Sequence, residues 1–327
     1  MRPFSYARAR TEQDAFSTLA QTARGAYLAG GTNLIDLIKL EVAKPDAVID
    51  INALPLAAIE TTPSGELRIG ALARMSDTAD HPALRSAAPA ISQALNLSAS
   101  AQLRNMATIG GNVLQRTRCV YFRDISQPCN KRRPGSGCSA IGGDDRKMAI
   151  LGANDRCIAV HPSDFAVAML LVDATIHLRG PAGERTVPFL GFHRLPDDPS
   201  RDTNIQPGEL ITALTFMPSA LTRSSTYIKV RDRASYEFAL VSVAAALEVT
   251  GGTIRDARIG LGGVAHAPWR SREAEAVLIG KVPSRDLFTA AAEAGLQAAV
   301  PQRLNRFKIR MAKNAMIRAL TSVGMPA

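Results

Sequence analysis

The chain has 327 residues, 46% of them hydrophobic, which is enough for about two domains of ~150 residues with cores of their own and excludes wholesale disorder. No run approaches the ~18 apolar residues of a membrane span, and the opening MRPFSYARARTEQD lacks the apolar stretch of a secretory signal, so no export signal of its own is expected. The net charge of +10 admits acidic ligands, an acidic partner surface or nucleic acid, while only 5% aromatic residues speaks against base-stacking platforms.

In chain order, Thr11 is placed to cap a helix over 12–23, and AYLAGG reads as a strand running into a double glycine. In GGTNLIDLIKLEVAKP, Leu34, Ile35, Ile38 and Val42 recur at helical spacing until Pro45, so Gly30, Gly31, Thr32 and Asn33 form a strand-to-helix loop. Glycines there allow an anion close to the backbone, and the helix start adds favourable partial charge, which is how diphosphates are held. A plain tight turn is the alternative, and a Rossmann G-x-G-x-x-G is absent. ELRIGALA is a further strand, and helices follow around 83–97. NMATIGGN repeats the pattern of an apolar strand ending in Gly110 and Gly111, with Thr108 and Asn112 as side-chain donors to the other side of the same phosphates. A bulge or turn is again the alternative.

All four cysteines, Cys119, Cys129, Cys138 and Cys157, lie within 39 residues, which suggests one shared site. Their spacing, C-x9-C-x8-C-x18-C, fits neither a zinc knuckle nor a C-x-x-C redox pair. The loop QPCNKRRPGSGC is rich in Pro, Gly and polar residues, so its backbone needs something other than an apolar core to fix it. Between Arg104 and Arg133 seven basic residues face Asp124 alone, a setting that suits an anionic four-thiolate [4Fe–4S] cluster; composition alone leaves zinc, disulfides and free thiols open.

CIAVHPSDFAVAMLLVDA reads as a strand, a Ser163 N-cap and a buried helix. Asp164 in its first turn suits the helix dipole or a cofactor hydroxyl, and His161 reads as structural. TIHLRGPAGERTVPF is a hairpin around 180–183, and PGELITALTF is a strand that closes the first domain near residue 220. Beyond it lie antiparallel strands turning at Gly251 and Gly252, then helices over 272–279, 284–300 and the tail: a separate α+β domain. Lys229, Arg231 and Arg233 alternate along one strand, where facing a cleft they meet an anionic cofactor and facing solvent they mean little. In the tail, Leu304, Phe307, Met311 and Ala315 fall at helical spacing beneath a basic, solvated face. No Ser-His-Asp or paired-carboxylate arrangement is defensible, so no catalytic residue is assigned.

Together, AGGTNL at 29–34, ATIGGN at 107–112, HPSD at 161–164, the YIKVRDR strand and GLGGVAHAPWR resemble, nearly end to end, the FAD-binding medium subunit of the molybdenum hydroxylases, the xanthine dehydrogenase and carbon monoxide dehydrogenase group. The resemblance implies an α+β fold: two α/β FAD-binding subdomains of the PCMH type over 1–220, with the cysteine loop inserted at 113–157, and a C-terminal α+β domain of CO dehydrogenase flavoprotein type over 224–327. Leu28, Ala29, Gly30, Gly31, Thr32, Asn33 and Leu34, with Thr108, Gly111 and Asn112, would hold the pyrophosphate of FAD. Asp164 would take ribityl or ribose hydroxyls, and Lys229 would lie near the isoalloxazine. The cysteine loop is similar to that of the minority, serving periplasmic aldehyde oxidoreductases, whose flavin subunit carries a [4Fe–4S] cluster on four cysteines.

The implied role is electron transfer. A molybdenum cofactor-binding large subunit oxidises an aldehyde, a 2Fe–2S small subunit relays electrons, and FAD passes them to an external acceptor: a ferredoxin-like carrier, quinone or O₂. Tyr236 and Glu237 stand where NAD-reducing members have an acidic pair, which speaks against NAD. The resemblance implies no nucleic-acid partner, and a periplasmic location by co-export with a signal-bearing partner, the cytoplasm being the alternative. The rival readings are a self-contained FAD oxidase and a basic DNA-binding protein with a structural iron–sulfur cluster.

Overall fold

The computed structural model describes residues 1–325, arranged around three sheets. Strands β1 (Ser5–Arg8), β2 (Gly25–Leu28) and β3 (Ala47–Asp50) form a small parallel sheet in the order β1-β3-β2. Strands β4 (Ile59–Thr61), β5 (Leu67–Gly70), β6 (Thr175–Gly180), β7 (Gly183–Pro188) and β8 (Leu210–Phe216) form an antiparallel sheet in the order β4-β5-β8-β6-β7. Strands β9 (Ser225–Val230), β10 (Val241–Thr250), β11 (Thr253–Gly262) and β12 (Trp269–Arg270) form the third, antiparallel, in the order β12-β11-β10-β9.

The third sheet is buried on both faces, and its two-residue periodicity sorts the side chains. Val243, Ala245 and Leu247 of β10 join a core with Phe288, Met316 and Leu320 from the helices Arg285–Gly295 and Phe307–Gly324. Ala244 and Ala246 point the other way, into the core that holds Phe165, Val167 and Leu170 from the helix Asp164–Ala168 and the turn after it. A Cβ on Gly260 would lie 2.6 Å from the Val167 carbonyl oxygen, so the sheet meets this helix backbone to backbone. The C-terminal sheet is thereby fastened to the N-terminal half. The same contact sets the back of the functional cleft.

Local signals held at several places. Thr11 and Asp14 close a reciprocal capping box, Ser163 accepts the Ala166 N–H as N-cap, and Gly251 and Gly252 turn the β10–β11 hairpin. Others moved. The first helix stops at Ala20, and the second covers only Leu34–Lys39 because Glu41 turns left-handed, well before Pro45. Residues 82–97 form two helices interrupted at Ala88, with Pro89 opening the second. NMATIGGN contains no strand: the helix Ala101–Met106 runs up to it, and Thr108 then caps the helix Ile109–Val113 with Gly110 and Gly111 in its first turn. The segment before Ser163 is extended without forming a strand, because its N–H groups are taken up by neighbours such as the Ala265 carbonyl, which accepts from His161. Of the apolar positions read in the tail, Ala315 is buried and Met311 packs against the core, but Leu304 lies exposed before the helix Phe307–Gly324 and Lys308 is buried within it.

Phe288 is fully buried in the C-terminal core, and the sole tryptophan, Trp269, packs against the same core. Phe288→Ala should lower stability by about 3–5 kcal/mol through the cavity it leaves. Urea unfolding followed by Trp269 fluorescence should show the transition at lower denaturant. An unchanged midpoint would contradict this placement of the core.

Candidate functional site

A cleft of about 850 Å³ lies between the N-terminal half and the C-terminal sheet. Both glycine loops reach it, through Thr32 and Asn33 of the first and Gly111 and Asn112 of the second. Leu28 ends β2 and Leu34 opens the next helix, so these two frame the first loop from behind. Thr108 is also set back, its Oγ1 accepting the Gly111 N–H at 3.2 Å.

The two loops are packed against each other. Gly31 has φ +73°, a left-handed conformation that favours glycine. A Cβ on Gly30 would stand 2.0 Å from the Met106 carbonyl oxygen, so this glycine permits the contact between loops. Arg74 and Asn52 bridge them: Asn52 Nδ2 donates to the Ala29 carbonyl at 2.9 Å, Arg74 Nη2 donates to Asn52 Oδ1 at 3.0 Å, and Arg74 Nη1 donates to the Met106 carbonyl at 2.6 Å. Sequence reasoning missed both bridging residues. They belong to no motif, and only the tertiary approach of 29, 52, 74 and 106 brings them together.

The polar inventory of these loops fits an anionic, multiply hydrogen-bonding ligand. Asn33 Oδ1 accepts the Arg116 N–H at 3.0 Å, while its buried Nδ2 donor has no protein partner. A buried amide N–H left unpaired is costly unless a ligand accepts it. Asn112 is held by the Ser163 hydroxyl and by Gln115 Nε2 at 3.1 Å, which orients the second loop from the side of Asp164.

Asp164 lines the cleft at 5% exposure and accepts three hydrogen bonds: from Ser98 Oγ at 2.9 Å, Tyr227 Oη at 2.5 Å and Lys229 Nζ at 2.7 Å. Burial, then the charge of Asp164, pushes the Tyr227 phenol well above its ordinary value and keeps it a donor. Three accepted bonds leave the carboxylate about one further lone-pair site for a ligand hydroxyl. Lys229 does not line the cleft. It lies behind Asp164, and its ammonium also donates to the Leu97 carbonyl at 3.1 Å, a carbonyl shared with Arg231 Nη1. Strand β9 ends at Val230, so of the three alternating cations only Arg233 reaches the cleft, at its mouth with Tyr236 and Glu237. Ion pairs from Arg146 to Asp232, at 2.9 Å, and Lys147 to Glu237, at 3.4 Å, span the same mouth.

His161 lines the cleft as well. Its Nδ1 accepts the Ser163 N–H at 3.3 Å, and its ring stacks edge-on against His193 with centroids 4.5 Å apart. Burial holds His161 well below the usual imidazole range, and pulls His193 and His266 down to about 4, so all three are neutral at pH 7.

The four cysteines gather in one apolar cluster with Phe122, Met148 and Ile158. None is in a disulfide, and Cys129 and Cys138 face each other across an isolated antiparallel bridge. Ser136 Oγ accepts the Cys129 N–H at 3.0 Å and donates to the Arg133 carbonyl at 2.7 Å, which shapes the loop. Burial pushes the Cys119 and Cys157 thiols up to about 11. The set suits four-thiolate ligation in number and residue type, but among the described residues no group of three or more His, Cys, Asp or Glu side chains is placed to hold a metal ion. Cys119 also lines the cleft, so the cysteine cluster and the cleft share a wall.

The buried Asp164–Lys229 pair sets up a stability cycle. Asp164→Ala strands a buried ammonium, and Lys229→Met strands a buried carboxylate, each costing about 3–5 kcal/mol. The double variant removes both charges and should cost less than the sum of the two. Unfolding of all three by Trp269 fluorescence checks this, and strict additivity would contradict the pairing.

Residues 2–219 match the family model described as the FAD binding domain in molybdopterin dehydrogenase, and residues 226–323 match the CO dehydrogenase flavoprotein C-terminal domain. The chain is similar to the aldehyde oxidoreductase FAD-binding subunit PaoB of Escherichia coli, with 46% identity over 323 residues and 98% of each chain covered. It is 33% identical over 285 residues to the glyceraldehyde dehydrogenase medium chain of Sulfolobus acidocaldarius, covering 87% of this chain and 84% of that one. Among solved structures it resembles a chain of carbon monoxide dehydrogenase from Hydrogenophaga pseudoflava, at TM-score 0.76 and 26% identity, with 99% and 98% of the two chains covered. The paired domain matches and the end-to-end relatives agree with the cleft geometry: the chain belongs to the FAD-binding medium subunits of the molybdenum hydroxylases, as an oxidoreductase subunit of aldehyde oxidoreductase type.

Proposed function

We propose that this chain is the FAD- and [4Fe–4S]-carrying electron-transfer subunit of a heterotrimeric, molybdenum-dependent aldehyde oxidoreductase. The observation that carries the reading is the 46% identity to an aldehyde oxidoreductase FAD-binding subunit over 98% of both chains. In this reading a molybdenum cofactor-binding large subunit converts aldehyde and water to carboxylic acid. A 2Fe–2S small subunit relays the electrons, and an external acceptor, a ferredoxin-like carrier, quinone or O₂, takes them from the flavin. The complex works in the periplasm, exported with a partner that bears the signal.

Bound FAD supplies two-electron acceptance and stepwise release. The protein's part is to hold and tune it. Backbone N–H groups of 31–33, with Asn33 Nδ2, take the pyrophosphate, and Gly111 and Asn112 border it from the second loop; Ala29 and Gly30 let the first loop close on the second. Asp164 receives a ribityl or ribose hydroxyl. Lys229 acts from behind it, holding the carboxylate in place through their ion pair. Cys119, Cys129, Cys138 and Cys157 would hold the cluster, and coordination would keep Cys119 and Cys157 as thiolates against the burial that otherwise favours their thiols.

Two measurements test these assignments. Anaerobically purified chain should contain one FAD with about four iron and four sulfide, and Cys129→Ser should lose most of the iron. Stoichiometric zinc without sulfide would contradict the cluster. Gly30→Ala should weaken FAD binding more than Gly31→Ala, because the former drives a methyl into the Met106 carbonyl while the latter meets flexible side chains and costs about 1–2 kcal/mol of backbone strain. Full FAD occupancy in Gly30→Ala would contradict the placement of the phosphate loops.

A further inference from the structure

The helix Phe307–Gly324 carries a lysine where its buried face calls for an apolar residue. Lys308 has 0% exposure, one turn before Ala312. Its Nζ donates to three backbone carbonyls, those of Lys147 at 2.9 Å, Met148 at 2.9 Å and Gly263 at 2.8 Å. That uses all three ammonium donors. Among the described residues no carboxylate pairs with it: burial, then the neighbouring cations Arg146 and Lys147, pull its pKa down to about 7. A buried cation without a counter-charge is an expensive feature.

The staple alone does not explain it. Asn305 Nδ2 already holds the same segment through the Met148 and Ala149 carbonyls, at 3.1 and 3.2 Å, and the Leu304 N–H donates to Asp145 Oδ1 at 2.6 Å. What Lys308 adds is charge, and its position says where that charge acts. Lys147, Met148 and Gly263 all line the cleft, so the ammonium sits one residue behind the wall. This wall belongs to neither glycine loop assigned to the pyrophosphate, which leaves it for the remaining parts of the FAD. Adenine stays neutral at pH 7, whereas the isoalloxazine gains a negative charge on taking up two electrons and one proton. The other buried lysine of the site, Lys229, is neutralised by Asp164 and supplies no net charge.

We propose that Lys308 is a positioning residue that fixes the Lys147–Met148 and Gly263 walls and places an uncompensated positive charge behind the isoalloxazine, favouring its reduced, anionic form. The inference rests on the FAD reading of the cleft.

The test uses the full chain with bound FAD, poised anaerobically with dithionite and redox dyes. Lys308→Met keeps the side-chain length and removes the charge. It should lose about tenfold more affinity for reduced than for oxidised FAD, a midpoint about 30 mV more negative. Lys308→Arg, which keeps the charge, should restore the midpoint. Equal weakening of both redox forms, with the potential unmoved, would reduce Lys308 to a structural staple and overturn the proposal. Should Lys308→Met fail to fold, Lys308→Gln retains two of the donors without the charge and must show the same redox-selective loss. The unsubstituted chain gives an arm free of folding effects: with 15N-labelled lysine, the Lys308 Nζ resonance should shift when the bound flavin is reduced, and an unshifted resonance would overturn the proposal. Absence of FAD from the unsubstituted chain would instead overturn the reading of the cleft.

Discussion

The buried ion pair between Asp164 and Lys229 is the contact on which the arrangement of the molecule depends. Asp164 opens the helix Asp164–Ala168 in the N-terminal half, and Lys229 lies on β9 of the C-terminal sheet. Side chains at 5% and 1% exposure cannot carry these charges apart without a large desolvation penalty, so the two halves are tied in one register. Ser98 and Tyr227 complete the shell around the carboxylate. The backbone approach of Gly260 to Val167 supports the same junction from the apolar side. The cleft opens in front of that junction. Its depth and polarity follow from a charged pair facing it with the acid forward and the base behind.

The cysteine insertion is part of the same construction. Cys119 belongs both to the apolar cysteine cluster and to the cleft wall, and Met148 at the far end of the insertion is gripped by Asn305 and Lys308 of the C-terminal half. Lys131, buried within the insertion, is paired with Asp202 and donates to the Pro199 carbonyl at 3.0 Å, which anchors the loop to the segment that also binds Arg116. A group that orders the cysteines therefore also stiffens one side of the cleft. The insertion thus shapes one wall of the flavin cleft.

Signals that act over three or four residues were legible in the sequence. Thr11 and Ser163 cap the helices they precede, and Gly251 and Gly252 turn the hairpin they sit in. The two glycine loops and Asp164, picked out by residue type and position, all reach one cleft. What failed was anything decided by tertiary contact. Gly110 and Gly111 looked like the end of a strand, yet Thr108 before them was an N-cap signal that fits a helix start. Gly30 matters through Met106, and Asn52 and Arg74 matter through each other, pairings that no local pattern encodes. Lys308 inverts the rule that places lysine on the wet face of a helix, because three carbonyls from distant segments meet its ammonium. Lys229 was recognised as a cation of the site, but its partner, and hence its orientation away from the cleft, depended on the fold.

The account's central claim is that this chain holds the flavin but depends on other subunits for aldehyde chemistry. Anaerobic stopped-flow mixing with benzaldehyde, following flavin absorbance, tests it directly. The isolated chain with FAD bound should show no reduction on the time scale of turnover, whereas the complex assembled with a molybdenum subunit and an iron–sulfur subunit should bleach its flavin at the rate of catalysis. Rapid bleaching of the flavin in the isolated chain would contradict the account and make this protein a self-contained oxidase.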